Sequence, residues 1–177
     1  MEDLINEIST KSTIVEIDDQ HRAVLDFGQH SAAKGYLTWR ELTHLLDYQS
    51  HRPLRHWRRF DEEQVVEATR AAFSRRDEPA KALAHLHALP GLAVPAASAV
   101  LAWTDPDHYG AIDQHAWRTL HRFGLVQSCA PGAGLRQQDF VTFTDICRTV
   151  STRLDRPAHW VDLWLDTRAR MENGRWH

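Results

Sequence analysis

Two cysteines in 177 residues, Cys129 and Cys147, cannot build a disulfide scaffold, and their spacing fits no zinc or iron–sulfur pattern. A reduced, cytoplasmic protein is therefore expected. No apolar run approaches the ~18 residues that a membrane helix needs. The opening MEDLINEIST is too polar and acidic for a signal peptide, so no membrane partner is expected. An excess of one sign of charge is also missing: 21 basic residues face 24 acidic ones, for a net charge of -3. Any nucleic-acid site must come from local basic clustering. The 12 histidines are scattered without H-E-x-x-H spacing, so most read as surface or half-buried polar residues. No segment alternates persuasively as a strand, and no repeat appears.

What is present is an ordinary globular composition, 42% hydrophobic and 25% charged, in a length suited to one domain. The apolar spacing predicts an all-α fold of about eight helices. The first dozen residues read as a frayed lead-in. From Thr13 to about His30, Ile14, Ile17, Val24, Leu25 and Phe27 suit one helix or two short ones, before a turn at 31–35. Thr38 with Glu41 forms a capping box ahead of a stripe of Trp39, Leu42, Leu45 and Leu46. Asp61 with Gln64 marks another start, with Val65, Val66, Thr69, Ala72 and Phe73 turned inward. Pro79 and Pro95 suit first helical turns, and Asp105-Pro106-Asp107 suits a turn rather than a two-carboxylate site. Gly124 closes a helix begun at Asp113. After a linker at 130–134, a helix over 137–152 buries Phe140, Phe143, Cys147 and Val150. A last helix opened by Pro157 carries Trp160, Val161, Trp164 and Leu165.

One stretch carries chemistry. Leu89-Pro90-Gly91-Leu92-Ala93 is a tight apolar turn followed by a small-residue helix, and 20 residues after Ala93 comes Ile112-Asp113 at the start of another helix. Taken alone, Asp113 is an ordinary N-cap. The ordered combination resembles the helix-hairpin-helix DNA glycosylases, of the endonuclease III-like type, across residues 36–125; residues 1–35 and 130–177 would complete the bundle. The resemblance implies that Gly91, Leu92 and Ala93 meet a backbone phosphate and that Asp113 is the catalytic acid beside the sugar of an everted nucleotide. Cleavage of an N-glycosidic bond develops positive charge on the sugar, which a carboxylate stabilises while water is activated. The base must first leave the stack.

Two departures from the family pattern matter. Bifunctional relatives carry a lysine 18 residues before the aspartate, and Pro95 stands there. This implies a monofunctional enzyme that leaves an abasic site. Ala93 replaces the hairpin's second glycine, which would cost about 1 kcal/mol if the backbone there were glycine-like. Pro95 also removes an N–H from the phosphate site. Family hairpins often hold K+ or Na+ through three main-chain carbonyls, which match His87, Leu89 and Leu92; no other cofactor is implied.

Upstream, Leu45-Leu46-Asp47-Tyr48-Gln49 resembles the helix end whose glutamine fills the gap left by the everted base. Gln49 is then a wedge candidate, and Tyr48 or His51 is available to stack on a base. Residues 51–59, HRPLRHWRR, add Arg52, Arg55, Arg58 and Arg59 without an acid, a cluster suited to duplex phosphates. Beside Asp113, His115 is a second pocket candidate, although a surface histidine explains it as well. A group of small bacterial proteins is similar in Tyr36-Leu37-Thr38 and in the segment from Pro106 to Asp113.

The expected partner is double-stranded DNA carrying an everted damaged or modified nucleotide, bound by a monomer. An alkylated, deaminated or mismatched base fits a repair role, and a hypermodified base of foreign DNA fits phage defence. The alternative is a non-catalytic helix-hairpin-helix module that binds DNA or a protein.

Overall fold

The structure is a computed structural model that describes residues 1–49, 61–128 and 134–172. Nine α-helices and one short 3-10 turn make up the regular structure among the described residues, and no strand occurs there. The all-α expectation is met. In chain order the helices are α1 (Glu2–Thr10), α2 (Asp19–Ala32), α3 (Trp39–Gln49), α4 (Glu62–Phe73) and α5 (Pro79–His87). They continue as α6 (Val94–Thr104), α7 (Gln114–Arg122), α8 (Gln137–Leu154) and α9 (Ala158–Glu172).

Helix α6 is the axis of the bundle. Its sequence VPAASAVLAWT is apolar all round, and Ala97, Ala99, Val100, Leu101 and Ala102 are at most 1% exposed. A helix with no polar face must be enclosed. Helices α2, α3, α5, α8 and α9 all pack on it. Small residues permit the closest approach: a Cβ placed on Gly28 of α2 would lie 2.5 Å from the carbonyl oxygen of Trp103.

The capping box at Thr38 forms as expected, with Thr38 N–H donating to Glu41 at 2.8 Å and Glu41 N–H donating to Thr38 Oγ1 at 3.3 Å. Its partner at Asp61 does not form. Asp61 occupies the N-cap but makes no side-chain capping bond, and neighbouring Glu62 instead accepts the Trp39 N–H at 3.0 Å.

The amino terminus departs most from expectation. Residues 2–10 are not a frayed lead-in but α1, with Leu4 and Ile8 fully buried. The stripe is anchored from outside itself: Arg168 of α9 donates to Glu7 at 2.8 Å, and the Trp164 indole donates to the Lys11 carbonyl at 3.0 Å. A 3-10 turn at Ser12–Ile14 and an extended segment then precede α2, so the helix starts at Asp19 rather than Thr13. Asp18 accepts the His21 N–H at 2.7 Å and fixes that start. Helix α2 takes in the first two residues of the turn expected at 31–35, with Ser31 buried on its inner face, and the turn itself follows at 33–35. Within the stripe predicted for α3, Leu42, Leu45 and Leu46 are fully buried, whereas Trp39 is half-buried.

Candidate active site

The loop before Asp113 is strapped from two sides. Ile112 N–H donates to Ser98 Oγ on α6 at 3.1 Å, and Ala111 N–H donates to Asp162 Oδ2 on α9 at 2.6 Å. Gly110 permits this closeness, since a Cβ there would meet Asp162 Oδ2 at 3.0 Å and the Phe143 ring at 3.1 Å. Beyond the loop, Thr119 of α7 donates to the Leu165 carbonyl at 2.9 Å, and the Trp117 indole donates to the Ser128 carbonyl at 2.7 Å. The first bond clamps α7 to α9, the second ties α7 to the loop that follows it, and together they hold the helix whose start Asp113 caps.

Asp113 caps α7, accepting the Ala116 N–H at 2.7 Å. Asp113 also lines a cleft of about 870 Å³, together with His87 at the end of α5, Ala93 of the connection, and Val94 and Pro95 at the start of α6. Gln114, His115, Leu135, Arg136, Gln137 and Arg170 complete the cleft. The fold thus gathers the end of the Leu89–Ala93 turn, Asp113 and His115 around one opening.

The electrostatics are those of a crowded carboxylate. Burial first, and then the negative charge of Asp166, push the Asp113 carboxyl from 3.8 up to about 7. The Ala116 N–H opposes the rise, Asp162 adds to it, and a bond to Asp166 that only protonated Asp113 can donate favours the neutral form further. Asp166 is pinned by Arg170, whose Nε donates to Oδ2 at 2.6 Å, while Oδ1 is buried and carries no other hydrogen bond. Arg170 and Arg136, 53% and 69% exposed, line the cleft while each is paired with a carboxylate, Arg170 with Asp166 at 2.6 Å and Arg136 with Asp139 at 3.5 Å.

The α5–α6 connection corrects one expectation. Ala93 sits at φ -68°, ψ 162°, an ordinary extended conformation, and carries none of the strain foreseen for a glycine position. Gly91 is the residue with positive φ, at +83°. Gly91 and Ala93 are exposed, but Leu92 as a whole residue is 1% exposed and its N–H and carbonyl are both bonded within the turn, so the expected phosphate contact falls to Gly91 and Ala93 and not to Leu92. Of the carbonyls matched to a monovalent cation, that of Leu89 accepts the Leu92 N–H at 3.1 Å and that of Leu92 accepts His87 Nδ1–H at 2.7 Å.

Tyr48 is not part of the Asp113 cleft. It stands half-buried near the end of α3, its ring edge on Trp103 and its hydroxyl 3.1 Å from His21 Nδ1. Gln49 ends α3, and its side chain lies outside the described residues, as do His51, Arg52, Arg55, Arg58 and Arg59. The linker foreseen at 130–134 also falls outside them except for Gly134.

Asp166, Arg170 and Arg136 escaped the sequence reading. A signal existed: Asp162, Asp166 and Arg170 recur every four residues and so share one face of α9. Nothing in the sequence told that this face would meet Asp113. Among the described residues no group of three or more His, Cys, Asp or Glu side chains could hold a metal, and no helix is long and apolar enough to cross a membrane. No family model, curated protein or solved structure matches the chain.

Proposed function

We propose that the protein is a monofunctional DNA glycosylase of the helix-hairpin-helix type, in which ionised Asp113 assists water at C1′ of an everted nucleotide. The observation that carries this reading is the cleft in which Asp113 faces the end of the α5–α6 connection. A cap residue needs no opening in front of it. A residue that acts on a sugar does, together with a surface for the adjoining phosphate. Arg136 and Arg170, which line the cleft, supply that surface.

In the reaction, Asp113 takes a proton from the attacking water or stabilises the cationic sugar, and both roles need the ionised form. The base leaves with the electron pair of the C1′–N bond. Pro95 lines the cleft where bifunctional relatives have lysine, so water is the nucleophile and an abasic site is the product. A damaged base or a hypermodified base of phage DNA fits this chemistry equally.

The rival reading, a non-catalytic DNA-binding module, keeps one favouring observation. Pro95 in the first turn of α6 offers no N–H to a phosphate. Duplexes carrying a panel of alkylated, deaminated, mismatched and hypermodified bases, incubated with protein and then heated in alkali, separate the two. Strand breaks at one class of base that vanish with Asp113→Ala support the enzyme. Base release that survives Asp113→Ala refutes the mechanism, and DNA binding without release from any duplex supports the module.

A further inference from the structure

The connection from α6 to α7, residues 105–113, contains no helix or strand, yet its neighbours hold it at successive points. The His159 N–H at the start of α9 donates to the Pro106 carbonyl at 2.9 Å, and Arg148 Nε of α8 donates to the His108 carbonyl at 2.9 Å. Further along come the bonds from Ala111 N–H to Asp162 Oδ2 at 2.6 Å and from Ile112 N–H to Ser98 Oγ at 3.1 Å. Asp113 follows directly. Its placement is therefore decided by the two straps just before it.

The two straps differ in chemistry. Ser98 holds Ile112 without a charge, whereas Asp162 holds Ala111 with a carboxyl that is 4% exposed. Burying a carboxylate is costly unless donors surround it. Oδ2 accordingly lies 2.7 Å from His159 Nδ1 as well, and His159 Nε2 lies 2.8 Å from His21 Nε2 on α2. Whichever partner holds the proton, one hydrogen bond joins Nδ1 to Oδ2 and fixes the carboxyl. Burial still keeps that carboxyl above its ordinary value, against His159 and the Ala111 N–H. A neutral strap would avoid this cost. What the acid adds is an effect on Asp113: after burial and Asp166, the Asp162 charge also raises the Asp113 carboxyl. The other ionisable groups facing the pair are Asp166 and Arg170 on α9 and Cys147 on α8. Arg136, His87 and His115 line the cleft with Asp113.

We infer that Asp162 is a positioning residue for Asp113, fixing the loop that delivers Asp113 to the cleft and setting a second acid behind it. The catalytic meaning of this role rests on the glycosylase reading. Helix α9 then acts on Asp113 twice, through the backbone at Asp162 and through the side chain at Asp166 one turn later.

Substitutions in the full chain separate the two effects. Asp162→Asn keeps an acceptor for the Ala111 N–H and removes the charge, whereas Asp162→Ala removes both. Hydrogen exchange at Ala116, whose N–H Asp113 accepts, reports where the Asp113 carboxyl sits, and carboxyl-carbon NMR reports its titration. Asp162→Ala should speed exchange at Ala116 about fivefold, as for a lost cap, while Leu101 and Val150 in the core keep their native rates. Asp162→Asn should leave Ala116 at the native rate and lower the Asp113 midpoint by about half a unit. On whichever duplex of the panel is cut, Asp162→Ala should lower kcat about 100-fold at unchanged KM, the cost of a displaced catalytic group, and Asp162→Asn should recover most of that loss. Gly110→Ala, whose Cβ would meet Asp162 Oδ2 at 3.0 Å, should reproduce the loss at Ala116 from the loop side, and it decides the matter if Asp162→Ala does not fold. Native exchange at Ala116 in both variants, acceleration shared equally by the core amides, or an unmoved Asp113 midpoint in Asp162→Asn overturns the inference. Base release that survives Asp113→Ala overturns the glycosylase reading instead, and exchange and titration still decide whether Asp162 positions Asp113.

Discussion

Replacing Asp113 by asparagine should stabilise the protein at pH 8 while abolishing base release. Asparagine is as good an N-cap as aspartate, so its carbonyl can keep the 2.7 Å bond from Ala116 N–H. What disappears is a negative charge held among Asp166 and Asp162. The rise of the Asp113 carboxyl from 3.8 to about 7 corresponds, at about 1.4 kcal/mol per pH unit, to a ceiling of roughly 4 kcal/mol. Asp113 is half-buried and its substitute is a weaker acceptor, so a gain of about 1–3 kcal/mol is expected, on the order of 5 °C for a chain of this size.

The sign follows from linkage. Between pH 3.8 and about 7 the folded protein holds a proton on Asp113 that the unfolded chain has lost. Stability from this group is therefore full below the unfolded value, falls as pH rises through that window, and is absent above about 7. The advantage of Asp113→Asn should accordingly be largest at pH 8 and nearly gone at pH 4, where the native carboxyl is also neutral. Urea titrations followed by tryptophan fluorescence at both pH values measure it, with Asp113→Ala, which removes the same charge and the cap as well, expected about 1 kcal/mol below Asp113→Asn at every pH. An equal gain at both pH values, or no gain at pH 8, would refute the crowded-carboxylate account.

Three further outcomes follow from the same geometry. Base release should rise with pH through about 7 as Asp113 ionises, and Arg170→Ala should shift that limb up by about half a unit to one unit, because a cation near two carboxylates is lost; an unmoved pH–rate profile would separate Arg170 from the site. Borohydride should trap no covalent adduct with DNA, whereas Pro95→Lys, which sets an amine in the cleft, should produce one; an adduct with the native chain would contradict the water route. Gly28→Ala forces a Cβ against the Trp103 carbonyl at 2.5 Å and should cost about 1–3 kcal/mol in urea unfolding, and a neutral result would contradict the close packing of α2 on α6.

The features legible in the sequence were those whose causes lie within a few residues. The Thr38–Glu41 box, the prolines in the first turns of α5 and α6, and the small-residue helix that follows Ala93 each act locally and appear as read. Helix α1 was not legible because its value lies elsewhere: Leu4 and Ile8 form a useful stripe only where the rest of the bundle covers them, and Glu7 is held by Arg168, distant in sequence. Ala93 was misjudged in the opposite sense. A family position suggested strain, but conformation depends on the turn actually made, and Gly91 supplies the one left-handed residue between α5 and α6.

Asp113 shows why motif reasoning stops short of a site. Capping and catalysis looked like competing explanations for one acid, yet they demand the same geometry. The Ala116 N–H holds the carboxylate in a fixed direction, and the clamp between α7 and α9 brings Asp166 against it. A freely exposed cap would titrate like any aspartate and could take a proton from water only weakly. Crowding by Asp166 raises its basicity toward neutrality, while Arg170 restrains Asp166 from the other side. The destabilising charge and the proposed reactivity are then one property. A substitution that removes the first should remove the second, and a variant that gained stability at pH 8 yet still released base would show them to be separate.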